Sequence, residues 1–216
     1  MSRIVVFGAG GKAGSKAVAE AASRGHQVTA VVRDPAKYAH LASDSVTVVA
    51  GDVTDPADVA SVAAGHDAVV QAAYQQDLPV DEYFACAATA LLDGLANAGV
   101  GRLVAVGIGT TLEVAPGVLV HDTEGFPAEG KAFSLGHVAQ LEVLKAATGD
   151  VDWVVLAPPP AILDAEAEAA GEYRSGGTSV LPAEEGAPAF SYADLAVALI
   201  DEIENPKHHR TLVAVA

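Results

Sequence analysis

The chain has 216 residues, 51% of them apolar, and 12 basic against 28 acidic side chains, a formal charge of −16. So much apolar content excludes a disordered chain, and so much negative charge argues against nucleic acid or an anionic membrane as a partner. Cys86 is the only cysteine, which excludes an internal disulfide and an all-cysteine metal site. No metal site is expected. No unbroken apolar run approaches the roughly 18 residues of a bilayer span. Met1-Ser2-Arg3 runs directly into a strand pattern, so no signal peptide is expected. These features predict an acidic, cytoplasmic globular protein, monomeric or homodimeric, whose partner is a small molecule.

The apolar pattern predicts a strand over residues 4–7, then a glycine loop and a helix to about Arg24, stopped by Gly25. A second strand covers 27–32, and Asp34-Pro35 reads as an N-cap with proline at the first helical position. Residues 46–49 form the third strand. Thr54 or Asp55 caps a helix through Val62, and 68–72 form the fourth strand. A long helix over 80–97 leads to the fifth strand, 103–106. Residues 107–130 show no regular period. A helix over 132–147 then leads to the sixth strand, 151–156. Beyond Pro158 the alternation breaks. Ser191-Tyr192-Ala193-Asp194 resembles a capping box opening a helix to about Ile203, and 211–215 read as a last strand.

Six short apolar strands separated by helices predict a doubly wound α/β Rossmann fold. Its parallel sheet would run in the order 3-2-1-4-5-6, with helices on both faces. The whole chain reads as one domain, with 157–216 as a small substrate-side elaboration.

Between the first strand and the first helix stands Gly8-Ala9-Gly10-Gly11-Lys12-Ala13-Gly14. A glycine there permits the sharp turn off the strand. A second lets backbone amides approach a pyrophosphate, and a third lets the helix pack closely on the sheet. Gly11 is the glycine whose backbone angles and open space a β-branched residue would not tolerate. In this strand–loop–helix setting the pattern predicts dinucleotide binding. Arg33 ends the second strand, where the adenosine ribose lies, and can pair with a 2′-phosphate. NADP is therefore the expected cofactor, with NAD second. Asp34 is the competing ribose ligand, but its place before Pro35 suits helix capping. Asp52 and Val53 follow the third strand, where adenine is expected; Asp52 also reads as a turn residue. Gln71, Ala72 and Ala73 should border the nicotinamide ribose.

Several segments match one family. They are Val106-Gly107-Ile108-Gly109-Thr110-Thr111-Leu112, Val114-Ala115-Pro116-Gly117, Phe126-Pro127-Ala128-Glu129, Asp152-Trp153, the run from Phe190 to Ala198 and the run from Glu202 to His208. With the glycine loop they resemble the atypical short-chain dehydrogenases of the NmrA-like group, and among these the small bacterial proteins named as NADH-flavin reductases. The resemblance spans essentially the whole chain. It implies NAD(P)H binding and reduction of a flavin or quinone.

The chain departs from the wider superfamily where chemistry is concerned. The catalytic Tyr-x-x-x-Lys positions fall on Phe133 and His137, so the tyrosine general acid is missing. The superfamily's serine position falls among Gly107, Ile108 and Gly109. Thr110 and Thr111 are the nearest hydroxyls, and Thr111 is the candidate catalytic one. Ala157-Pro158-Pro159-Pro160 stands where relatives carry Arg-Pro or Ser-Pro. His137 and His121 are the candidate proton-exchanging groups. Tyr74, Phe133 and Pro158 are candidate substrate contacts. His208-His209-Arg210 read as a turn, and Cys86 as core packing on an apolar helix.

Hydride transfer to a flavin or quinone needs mainly proximity and orientation, so it tolerates loss of the tyrosine. An NAD(P)H-dependent oxidoreductase acting on a planar conjugated acceptor is the first expectation. A redox-neutral isomerase, cyclase or hydrolase on an aromatic metabolite and a non-catalytic NADP sensor are the alternatives.

Overall fold

Ile4, Val5, Val6 and Phe7 are all buried, a pattern possible only for a strand covered on both faces. They belong to β1 (Arg3–Phe7), which lies inside an eight-stranded sheet. The computed structural model describes residues 1–75, 79–186 and 188–216. β2 (Gln27–Val32) and β3 (Val46–Ala50) follow β1 on one side. β4 (Ala68–Gln71) and β5 (Arg102–Val106) follow it on the other. β6 (Glu113–Ala115) and β7 (Val118–Leu119) form a separate antiparallel hairpin. β8 (Asp152–Ala157), β9 (Ser175–Gly176) and β10 (Thr211–Val215) complete the main sheet. Its order is β3-β2-β1-β4-β5-β8-β10-β9. The expected 3-2-1-4-5-6 arrangement is thus present, with β8 as the sixth strand. β10 adds a further parallel strand, and only β9 runs antiparallel.

Alternate side chains of each strand serve opposite faces. Phe7, Val31, Leu103 and Trp153 join the core under α2 (Pro56–Ala63), α3 (Val80–Ala98) and α4 (Ala128–Ala146). Ile4, Val6, Val28 and Val154 join the core under α1 (Lys12–Ser23) and α5 (Tyr192–Glu204). Arg24 ties α1 to α5 through Asp201 at 2.6 Å and Glu204 at 2.7 Å. Among the described residues, no helix is long and apolar enough to cross a membrane.

Capping chemistry sets several boundaries. Asp34 accepts from the Ala36 amide at 3.1 Å, but the segment it opens is a 3-10 helix, Pro35–Leu41. None of its residues is buried, so no apolar stripe favours a longer α-helix there. Asp55, not Thr54, caps α2, accepting from Ala57 at 2.8 Å. The Ser191/Asp194 capping box forms, and Asp194 also accepts from the Ala170 amide at 2.6 Å. That bond fastens the acidic stretch after β8 to the start of α5.

Three expectations need correction. Residues 107–130 are not irregular throughout, since they contain the β6–β7 hairpin and two 3-10 turns. α4 begins at Ala128, ahead of the expected start near residue 132, because Gly130 belongs to the helix, beneath the Phe126 ring, and not to the stretch before it. Cys86 lies on the exposed side of α3, with Sγ 3.7 Å from the Thr54 carbonyl oxygen, and is not core.

Candidate functional site

Strand order reverses between β1 and β4, and a cleft opens at the carboxyl ends of the strands there. It has two compartments. One, of about 480 Å³, lies between the glycine loop and the ends of β2 and β3. The other, of about 610 Å³, lies between the start of α1, the end of β4, α4 and the segment after β8. Gly11, Ala72, Ala73 and Tyr74 border both.

The glycines divide the work differently from the sequence expectation. Gly8 turns the chain off β1 with φ +78°, and a Cβ there would stand 2.5 Å from the Ala73 backbone. A Cβ on Gly10 would strike the Tyr38 ring at 2.3 Å. Gly14 gives the close helix packing, since a Cβ would lie 2.1 Å from the Gly8 carbonyl oxygen. Gly11 has φ −85° and ψ 173°, angles open to any residue, so the expected backbone strain is absent there. Its own amide donates to the Gly8 carbonyl at 2.9 Å. The anion-facing donors are therefore the first amides of α1, at Lys12 and Ala13, which have no intrahelical acceptor. No side chain caps α1 and its first turn holds no acidic residue. That leaves a positive helix end suited to a pyrophosphate.

Around the smaller compartment stand Arg33, Asp34, Lys37, Tyr38, Asp52 and Val53. Asp34 is engaged in capping. Asp52 accepts from the Thr54 amide at 2.9 Å and its hydroxyl at 2.7 Å, so the turn role is realised at the compartment edge. Arg33 donates to Gln75 Oε1 at 3.5 Å. Tyr38 was not legible as a site residue: it follows a proline in an unpatterned stretch, and only the fold lays its ring over Gly10.

The larger compartment is walled by aromatic rings. Tyr74 is stacked on Phe84, centroids 5.5 Å apart and planes 5° from parallel. Phe133 meets Tyr74 edge-on at 5.0 Å. His137 lies 4.0 Å from Phe84 and 5.1 Å from Phe133. Its Nδ1 is buried with no hydrogen-bond partner among the described residues. Burial in this apolar setting pushes its pKa down to about 3. The ring is neutral at physiological pH, which narrows His137 to a neutral hydrogen-bonding or packing group. Pro158 and Lys12 also line this compartment.

Two expected site residues stand elsewhere. Thr111 is buried and donates to the Ile108 carbonyl at 2.8 Å, turned away from the cleft. Thr110 lines the cleft instead, its hydroxyl bonded to that of the buried Ser134. His121 lies behind Thr110, bonded through Nδ1 to the Thr110 carbonyl at 3.0 Å. The 3-10 turn Gly109–Thr111 causes the first departure, because it aims successive hydroxyls in different directions, while a second 3-10 turn, Val120–Asp122, buries His121 against the Thr110 carbonyl. Gln140 and Phe84 are lining residues that the sequence analysis missed. Phe133, His137 and Gln140 recur at i, i+4 and i+7, the signal that could have found the former.

A family model described as NAD(P)H-binding matches residues 8–206. A solved structure from Burkholderia pseudomallei, provisionally named an exported protein, is 40% identical with a TM-score of 0.85 over the whole of both chains. One from Bacteroides thetaiotaomicron, provisionally named an epimerase, is 31% identical with a TM-score of 0.87, covering all of this chain and 96% of the other. A third, from Streptococcus pneumoniae and provisionally named an NADH-flavin reductase, is 26% identical with a TM-score of 0.83, covering 100% and 99%. With a phosphate-type glycine loop at the switch point and a family match over most of its length, the chain belongs to the NAD(P)H-binding family of atypical short-chain dehydrogenase-like Rossmann proteins.

Proposed function

We propose that the protein is an NADPH-dependent reductase of a planar conjugated acceptor, a flavin or a quinone. The aromatic wall carries this reading. Tyr74, Phe84 and Phe133 surround the larger compartment beside Ala72 and Ala73, offering ring faces and edges to a flat substrate. When bound, the reduced nicotinamide supplies the hydride. The chain's own residues bind, orient and keep water out. Amides at the start of α1, with Lys12, receive the pyrophosphate. Arg33 pairs with the 2′-phosphate and selects NADP over NAD, while Asp34 stays with its cap.

A conjugated acceptor delocalises the incoming charge and takes its proton from water. Phe133 in the tyrosine position and a neutral His137 are then sufficient, since positioning dominates. The Streptococcus relative's name supports this reading. The Bacteroides relative's name favours a second one, a redox-neutral rearrangement in the same cleft. Phe133 counts against it, having no hydroxyl to exchange a proton. The cytoplasm, with its NADPH supply, is the compartment the reductase reading calls for. The deciding test is NADPH oxidation with a panel of flavins and quinones. Turnover supports the reductase, and cofactor binding without oxidation of NADPH by any acceptor refutes it.

A further inference from the structure

Charged side chains are sorted along the cleft. Arg33, Asp34, Lys37 and Asp52 all border the smaller compartment. Among the described residues, the only charged side chain lining the larger one is Lys12, which stands on the first turn of α1 beside the phosphate loop. Its remaining polar side chains are hydroxyls and amides, with the neutral imidazole of His137. A third cavity, of about 780 Å³, lies across the wall containing Pro159, Ala161 and Leu163. Among the described residues it holds one cation, Arg174, which is already paired with Glu184 at 3.2 Å and donates to the Pro182 carbonyl at 2.7 Å.

The only cation an anionic group on a substrate ring could meet there is Lys12, which the proposed cofactor's pyrophosphate already engages, so such a group would leave water uncompensated, a net cost. The chain's charge of −16 would also slow its approach. An uncharged ring can lie against the aromatic wall and offer its carbonyls to the hydroxyls and amides of the lining without placing a charge there. We infer that the larger compartment takes an uncharged planar acceptor, an unphosphorylated isoalloxazine or an unsubstituted quinone, and discriminates against the same ring bearing a phosphate or sulfonate. The inference rests on reading this compartment as the acceptor site.

Riboflavin and FMN share one redox-active ring and differ by a phosphate, so they form the test pair. Each is titrated by flavin fluorescence onto protein loaded with NADP⁺, where no turnover occurs. Riboflavin should bind at least tenfold more tightly than FMN at low ionic strength. Naphthoquinone and its 2-sulfonate, followed by calorimetry, should show the same order. Ile162 is fully exposed at the cleft mouth, so Ile162→Lys adds a cation without disturbing packing. That variant should narrow the ratio of riboflavin to FMN affinity severalfold. Equal binding of FMN and riboflavin, an unchanged ratio in Ile162→Lys, or failure of both uncharged rings to bind overturns the inference. Preferential riboflavin binding without NADPH oxidation upholds it and refutes the reductase reading. Equally efficient reduction of FMN and riboflavin does the reverse.

Discussion

Gly8 and Ala73 approach so closely that a Cβ on Gly8 would stand 2.5 Å from the Ala73 amide nitrogen and Cα. The phosphate-side loop is thereby seated directly on the end of β4, where the two compartments meet. Gly8→Ala should cost at least about 2 kcal/mol, from a left-handed backbone and a clash with atoms that cannot move aside. In a chain of this length a loss of about 2 kcal/mol lowers Tm by roughly 4–8 °C. Gly11→Ala has permitted angles and a nearest contact of 3.3 Å, so its stability should change by less than about 1 kcal/mol. Thermal unfolding of the two variants side by side checks the assignment, and equal losses would refute it.

Arg33→Ala should weaken NADP binding roughly 10- to 100-fold, the loss of a charge-assisted contact of about 1.5–3 kcal/mol. NAD binding should change little, because the 2′-hydroxyl makes no such demand. Calorimetric titration with both cofactors makes the comparison. A parallel loss for both would assign Arg33 a structural role.

His137 sets a pH signature for folding. Its folded pKa, about 3, is far below the ordinary histidine value, so between about pH 6.5 and 3 the unfolded chain binds a proton that the folded chain refuses. Its contribution is unchanged above about pH 6.5 and turns destabilising as pH falls, by up to about 1.4 kcal/mol per pH unit. Carboxylates held below their usual range, such as Glu204 beside Arg24, add to the loss at lower pH. His137→Phe should flatten the stability profile between pH 6.5 and 5. Denaturant melts at several pH values, followed by the fluorescence of buried Trp153, measure the slope. An identical slope in wild type and variant would falsify the burial argument.

Phe133→Tyr tests whether a tyrosine hydroxyl matters to the reaction. On a flavin or quinone the rate should stay within a few-fold, because the proton comes from water. Supplying a required general acid would instead raise the rate by about 10²–10⁴. Steady-state NADPH oxidation, with far-UV spectra to confirm folding, distinguishes the outcomes.

The alternation of apolar strands and helices was enough to order the first six parallel strands, because burial on both faces and right-handed crossovers leave few arrangements, but the places of β10 and β9 were decided by the tertiary fold. The glycine loop likewise announced a dinucleotide site, since its spacing matters only between a strand and a helix. Local signals could not decide where side chains outside regular elements point. Thr110 and Thr111 are adjacent and chemically alike, yet a 3-10 turn sends one to the cleft and buries the other. Tyr38 meets Gly10 across 28 positions of sequence, which no period reveals. The charge state of His137 was equally out of reach. It depends on Phe84, 53 positions away in sequence, closing against the ring at 4.0 Å, and desolvation is a property of the packed structure alone.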